Sequence, residues 1–437
     1  MDLGCRQQRY AALLLFGLAA ALTAPRLSRA QEPPANSPAP AEAPVNSTMV
    51  AGESEADEPA RQFVRWNEYE GPISTLRFGG GFLYDYAAYN QDEASKQQFD
   101  FEDGSKLRDF RFLLKGKFVQ VEKRSLTWSA GIMWDGANEQ WAMRQTGVMV
   151  ELPKISSSVF IGRTKNGFSM NKVMVGYYGW THERAAASDA MLPILADGIK
   201  WLGYLPKRGL GWSMGWYGDS YSARESFSTM DREEVARVTW LPIRSDIEHT
   251  VLHLGVSLRE GKPEDRQLRL RSRPESFQAP YVVDTGVFDA ERIHMSGVEA
   301  YYRSGPLLLG SEMFFQNVDS ESTGNPQFSG GEVFVSWNVT GETRPYKAAG
   351  GYFNAVSPSR PVGMGGPGAI ELVLRYSDID LDSGTLRGGK FRRITPMVNW
   401  HLSDNIRLEF AYGIGELDRF DLTGKTRFFT MRTQFTL

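Results

Sequence analysis

The 437-residue sequence predicts an all-β fold: a transmembrane antiparallel β-barrel of about 16 strands, with one long connection folded inward as a constriction loop. Three observations carry this expectation. From Ile73 to the C-terminus, apolar residues recur with a period of two. The alternating segments reach about ten residues or more, the length at which a tilted strand crosses a bilayer. Their apolar faces are often closed by Trp or Tyr, as an interfacial aromatic girdle requires. A helical membrane protein is excluded, because the only long apolar run, Ala11 to Ala24, falls short of the roughly 20 residues a spanning helix needs.

Residues 1–30 read as a secretory signal peptide. Arg6 and Arg9 supply the basic start, Ala11 to Ala24 the apolar stretch, and Ser28-Arg29-Ala30 a small-x-small cleavage site before Gln31. Cleavage removes Cys5, the single cysteine, and with it any disulfide or thiol chemistry. Leu3-Gly4-Cys5 resembles a lipobox, but no hydrophobic stretch precedes it. Residues 31–70 form a Pro/Ala/acidic segment, expected to be disordered in the periplasm: residues 31–60 hold six acids, six prolines and no base. From Arg61 onward 45 basic residues face 45 acidic ones, so any ion preference comes from where charges sit. The barrel is expected over 71–437.

The period of two is clearest in Ile406, Leu408, Phe410, Tyr412 and Ile414, which alternate with Arg407, Glu409, Ala411, Gly413 and Gly415. The same split sets Ile370, Leu372, Leu374 and Tyr376 against Glu371 and Arg375. Segments of this kind run at 73–89, 105–118, 125–137, 142–151, 156–165, 198–205, 209–221 and 234–243. Eight more lie near 249–259, 294–303, 306–318, 328–340, 367–377, 390–402, 404–415 and 426–437. Closing them into a barrel satisfies every backbone group in lipid. The last strand ends Phe435-Thr436-Leu437, the aromatic and apolar finish common in outer-membrane barrels.

Sixteen strands leave a water-filled lumen, so the polar face becomes the functional surface. Residues 166–200 break the strand pattern and contain a helix-competent run from Glu183 to Met191; this connection is expected to fold inward. In the run Arg266 to Arg273, extended backbone puts Arg269, Arg271 and Arg273 on one face about 6.6–6.8 Å apart. That spacing is below the Debye length of about 8 Å at physiological salt, so their fields merge into one positive stripe. Two readings stay open: a ladder for anions, whose carboxylate or phosphate oxygens suit the guanidinium fork, or a basic strand end facing solvent or lipopolysaccharide.

Several stretches together resemble the phosphate-selective porin O and P family of Gram-negative outer membranes. They are Leu107 to Phe118, Phe160 to Lys172 with the following His182-Glu183-Arg184, the arginine run with Pro274-Glu275, Val339 to Lys347, and Gly368 to Asp378. The resemblance covers roughly residues 73–437. It implies a trimeric porin in the outer membrane, among lipopolysaccharide and lipid, passing small anions such as phosphate or polyphosphate. It places the ladder at Arg269, Arg271 and Arg273, one paired constriction arginine at Arg108, a constriction-loop lysine at Lys172 and an inner-cluster lysine at Lys347. Asp109 stands where the second paired arginine belongs, Gly81 where the first strand offers another, and Tyr177 where a second loop lysine is expected. The remaining lysine positions fall on Tyr352 and Ser357. Strand parity, with Phe110, Phe112 and Leu114 toward lipid, turns Asp109, Arg111, Lys115 and Lys117 toward the lumen.

Two enzyme patterns occur in the sequence. Gly211-Trp212-Ser213-Met214-Gly215 fits G-x-S-x-G, but its alternation reads as a strand face and not as a strand-turn-helix elbow. Gly363 to Gly368 fits G-x-G-x-x-G, yet it precedes a strand and opens no helix. His249 and His253, four apart in a strand, are expected at the barrel surface, not on a metal. No cofactor and no nucleic-acid partner is implied. The sequence therefore points to an anion-preferring porin, with a less selective porin of the same fold and, distantly, a lipid hydrolase using Ser213 as the competing readings.

Overall fold

The computed structural model describes residues 62–118, 125–220 and 230–437. The expected signal peptide and most of the expected disordered segment lie outside them. Sixteen antiparallel strands form the wall. The first four are β1 Thr75–Gln91, β2 Gly104–Lys117, β3 Leu126–Asp135 and β4, in two pieces Gln140–Met143 and Thr146–Leu152. Next come β5 Ser157–Thr164, β6 Ala196–Leu205, β7 Leu210–Ser220 and β8 Met230–Ser245. The third group is β9 Thr250–Pro263, β10 Arg292–Ser304, β11 Leu307–Asp319 and β12 Gln327–Asn338. The last is β13 Ala369–Ser383, β14 Leu386–His401, β15 Ile406–Arg419 and β16 Leu422–Thr436. Each strand pairs with its sequence neighbour, and β16 closes onto β1 from Thr426↔Gln91 to Thr436↔Gly81.

The expected segments and the observed strands agree to within a few residues at most ends. Strands β8, β13 and β14 run further, and their extensions carry charged residues such as Asp380, Asp382 and Arg387, which lie beyond the apolar band that the alternation marks. Ahead of the wall, Gln62–Arg65 and Glu68–Glu70 form a small hairpin joined to β1, inside the stretch expected to be disordered. The apolar Tyr69 and Leu76 pair across this junction and give those residues a template.

Burial is inverted relative to a water-soluble sandwich. Leu258 (60% exposed), Phe112 (54%) and Ile161 (53%) stand outside, whereas Glu371, Glu409, Arg375 and Asn399 are buried within. An apolar outer face and an ionic inner face is the arrangement that a hydrocarbon surround selects.

Three long connections enter the lumen. Residues 165–195 and 264–291 come from one end, and residues 339–368 from the end that holds Leu437. The first contains two short helices, α1 Met170–Val173 and α2 Ala186–Met191. The alanines of α2 share one buried apolar cluster with Leu268, Leu270, Val282 and Val283 of the second connection and with Phe314, Ile379 and Phe391 of the wall. A second apolar cluster joins Met170, Met174 and Trp180 to Tyr301, Phe334 and Phe353. The core therefore fills the side of the lumen along β9 to β15. Open space remains along β2 to β8.

His253, expected at the barrel surface, points into the lumen and is completely buried. Its Nε2 lies 2.8 Å from a Glu299 carboxylate oxygen and its Nδ1 lies 2.6 Å from the Tyr346 hydroxyl. The reason is parity: His253 shares a strand face with Ser257 and Arg259, while Leu252, Leu254, Val256 and Leu258 take the lipid side.

Candidate functional site

Three cavities follow one another along the open side, each sharing lining residues with the next. An upper one of about 90 Å³ is lined by Arg108, Asp109, Arg111, Arg144, Glu183 and Arg273 among others. It shares Arg111, Arg144 and Gly176 with a central chamber of about 370 Å³. The chamber shares Gln145, Met149 and Phe160 with a lower vestibule of about 490 Å³ beside Arg77, Lys115 and Lys117. These shared linings trace a passage from the inserted loops to the end that holds the C-terminus.

Charge changes along it. In the upper cavity Arg108, Arg111, Arg144, Arg184 and Arg273 are matched by Asp109, Asp135, Glu183, Asp189 and Glu275. The chamber presents Arg111, Arg144, Lys165, Lys200 and Arg237, and no carboxylate among the described residues lines it. Lys165 donates to the Val173 carbonyl at 2.9 Å, and Lys200 to Thr164 Oγ1 at 3.1 Å and to the Lys165 carbonyl at 2.9 Å. Burial, reinforced by the charges of Arg184, Arg144 and Arg111, holds the Lys165 amine well below the ordinary lysine range. Arg237 is tied to Glu299 at 2.8 Å and to the Gly351 carbonyl.

The connection 165–195 is locked to the wall by ion pairs. Glu183 accepts from Arg108 at 2.9 Å and from Arg432 at 2.7 Å. Burial would raise its carboxyl, but the two guanidiniums outweigh burial and hold it well below the usual carboxylate range. At the other end of this connection, the Ser169 hydroxyl and the backbone amides of Met170 and Asn171 donate to Glu312 and Glu299 of β11 and β10. The loop is thereby held as part of the pore wall.

Arg108 lies inside although its parity matches the lipid-facing Phe110. The pairing of β1 with β2 slips between Leu83↔Asp109 and Tyr84↔Leu107, leaving Arg108 as a bulge. A bulge re-aims one side chain, so Arg108 and Asp109 both face the lumen. Asp109 is gripped by Arg111 and by the Tyr177 hydroxyl, and Arg111 lies over the Tyr177 ring, 4.2 Å from its centroid. Gly81 leaves room for that ring: a Cβ there would meet Tyr177 at 2.8 Å and the Phe435 carbonyl at 2.2 Å.

A family model for phosphate-selective porin O and P matches residues 76–437. The chain belongs to the phosphate-selective porin O and P family. An uncharacterized protein of Caulobacter vibrioides is 32% identical over 169 residues, which is 38% of this chain and about a third (34%) of that protein's length. Among solved structures, OmpF of Salmonella typhi covers 84% of the chain and 100% of its own, with a TM-score of 0.55 at 10% identity. The outer-membrane channel DcaP of Acinetobacter baumannii covers 84% and 98%, with a TM-score of 0.53 at 11% identity. OmpT of Vibrio cholerae covers 84% and 99%, with a TM-score of 0.53 at 11% identity. At these identities the likeness is one of fold. Family and fold together make this an outer-membrane channel of Gram-negative type.

Within this porin O and P barrel, the arginine run lies on the inserted connection 264–291 and not on a wall strand. Leu268 and Leu270 are buried beneath it, and Arg269, Arg271 and Arg273 share the opposite face. They are not three equal charges. Arg269 pairs with Asp284 at 2.9 Å, while Arg271 and Arg273 stack over the Tyr281 ring, 4.1 and 4.4 Å from its centroid. Only Arg273 of the three lines the upper cavity.

Lys172 lies in α1 and is buried, outside the linings of the three cavities, whereas Lys165, seven residues earlier, reaches the chamber. Lys347 is exposed in a two-residue strand of the third connection; Tyr352, also on that connection, lines the chamber. Ser357 bonds to Asp404. Sequence reasoning did not single out Arg144, Lys165, Lys200 or Arg237. Strand parity marks Lys200, which alternates with the lipid-facing Ile199 and Trp201, but nothing local shows that the loops leave this side open. Ser213 also lines the chamber, from the middle of strand β7 and not from a strand-to-helix turn.

Proposed function

We propose that the chain forms a water-filled diffusion channel that prefers small anions, and that phosphate passes without tight capture. The observation that supports this most is the chamber, lined by five bases and by no carboxylate among the described residues. A fixed excess of positive charge in a narrow low-dielectric passage concentrates anions and repels cations. Weak phosphate capture follows from Asp109, which places a carboxylate beside Arg111 at the narrow upper cavity. The stacked Arg271 and Arg273 feed the upper cavity from the loop side. The chain is exported through the periplasm by its N-terminal signal, sits among outer-membrane lipid and lipopolysaccharide, and assembles as a homotrimer, the form recorded for folded OmpT of Vibrio cholerae.

Planar-bilayer recording in a potassium chloride gradient tests this reading. The expected reversal potential has the sign of chloride over potassium, and inorganic phosphate added at constant ionic strength blocks the chloride current only weakly. A potential of the opposite sign removes the anion reading. Ester turnover by the purified chain, abolished by Ser213→Ala, would replace it with the hydrolase reading.

A further inference from the structure

The lumen wall of a water-filled pore is normally polar at every inward position. Here three successive strands, and one two places further along the sheet, break that rule. Leu113 of β2, Met149 of β4, Phe160 of β5 and Leu202 of β6 all face the chamber. Met149 and Phe160 are direct partners in the sheet, and Leu202 lies two residues along β6 from Lys200, the partner of Phe160. The Phe160 ring lies across Gly147, where a Cβ would meet it at 2.9 Å. From the loop side, Val173 and Val175 line the same space. The chamber thus has an apolar floor beside a basic rim.

The rim calls for an anion. Lys165 and Lys200 are held by carbonyl and hydroxyl oxygens, and the charges that bear on Lys165 come from Arg184, Arg144, Arg111 and Lys200. Like charges gathered this closely are relieved by a bound counter-charge. The floor selects which anion. Inorganic phosphate or chloride loses water against Leu113, Phe160 and Leu202 and receives no hydrogen bond in return. A solute carrying its charge at one end and an apolar body at the other gains on both surfaces. At about 370 Å³ the chamber is of the size of small-molecule sites.

Building on the anion-channel reading, we propose that the chamber is a transient binding site for amphipathic organic monocarboxylates, of aryl or branched-alkyl type. The carboxylate sits at Lys200 and Lys165, and the apolar body lies against Phe160, Met149 and Leu202.

The test uses the full chain in planar bilayers, with chloride current blocked by benzoate, acetate or inorganic phosphate at constant ionic strength. Benzoate should block at roughly one tenth of the acetate concentration, the gain from placing about 55 Å² of ring on an apolar wall at ~25 cal/mol per Å². It should also block more strongly than phosphate. Phe160→Ser should bring the benzoate-to-acetate ratio below about threefold, and Leu202→Ser, a second variant in case the first does not fold, should lower it in the same direction. Lys200→Gln should weaken block by both carboxylates alike. Equal block by benzoate and acetate in the wild type, or a ratio untouched by both serine variants, overturns the proposal. Those outcomes leave the chloride-over-potassium reversal potential standing, so failure of this site and failure of the anion-channel reading are read from different measurements.

Discussion

The Tyr177 hydroxyl donates to the Asp109 carboxylate, and the same tyrosine ring carries the Arg111 guanidinium 4.2 Å from its centroid. Gly81, Asp109 and Tyr177 thereby become one unit with Arg111. A glycine at 81 gives the ring its space, and the aspartate accepts the tyrosine hydroxyl. Burial pushes the Tyr177 hydroxyl upward, so it stays a donor at neutral pH. The unit holds the constriction loop against β2 and neutralises Arg111.

Asp109→Arg is expected to strengthen phosphate block of the chloride current and lower the maximal conductance. A carboxylate 4–8 Å from the path, at an effective dielectric near 20, offsets roughly 2–4 kcal/mol of attraction per unit charge before screening. Conduction needs release as well as capture, so a tighter site carries less current. Asp109→Asn, which keeps the volume beside Tyr177, should act in the same direction with a smaller effect. Phosphate block unchanged in both variants would mean that Asp109 is not on the ion path.

Changing Arg269, Arg271 and Arg273 together to Ala should lower anion-over-cation permeability. The effect should be largest in roughly 0.01 M salt, where the Debye length is about 30 Å, and nearly absent at 1 M, where it is about 3 Å. Asp284→Asn should move selectivity the other way, because it unmasks Arg269. Reversal potentials that ignore both changes assign the run to the barrel surface. Lys172→Gln and Lys347→Gln should produce smaller losses of anion preference than the triple change.

Glu183→Gln should loosen the constriction loop. Removing one partner of a buried ion pair costs about 3–5 kcal/mol, here felt at Arg108 and Arg432 together. The readout is open-channel current noise, expected to rise with mean conductance. Because the folded carboxyl lies below its ordinary value of about 4.3, its contribution is complete above that pH and is lost only as pH falls toward the folded value. The wild-type channel should therefore stay quiet down to about pH 5. Noise that rises well above that pH would count against this latch.

Lys165 supplies a pH dependence of opposite kind. Burial and the neighbouring arginines make its amine lose charge at lower pH than an ordinary lysine, so anion preference should fall as pH rises, ahead of ordinary lysine titration. Lys165→Gln should make that fall smaller and start it from a lower preference. Identical pH profiles for the two proteins would place the amine outside the conducting space.

What could be read in the sequence is what lipid imposes locally. A strand between hydrocarbon and lumen must alternate, so Ile406 to Gly415 already shows which residues face out; His253, expected at the surface, is inward by the same rule once the strand's face is fixed. The wall strands and the inward connection were legible for this reason, and the ordered motifs identified the family. Parity alone would turn Arg108 toward lipid; it faces the lumen because a bulge shifts the period by one residue, which depends on the partner strand. Lys165 and Lys172 share one loop and one chemistry; only packing of α1 decides that the first meets the chamber and the second is buried.

Charge at a distance escaped for the same cause. Arg269 is neutralised by Asp284 across a hairpin turn, and Glu183 meets Arg108 and Arg432, residues brought together by closure of the barrel. Where the passage runs was decided by tertiary structure alone. Three connections from opposite ends pack their apolar faces together along β9 to β15, and the space they leave lies along β2 to β8. Alternation is a property of each strand's own residues, whereas a lumen's shape is set by what its loops bury against one another.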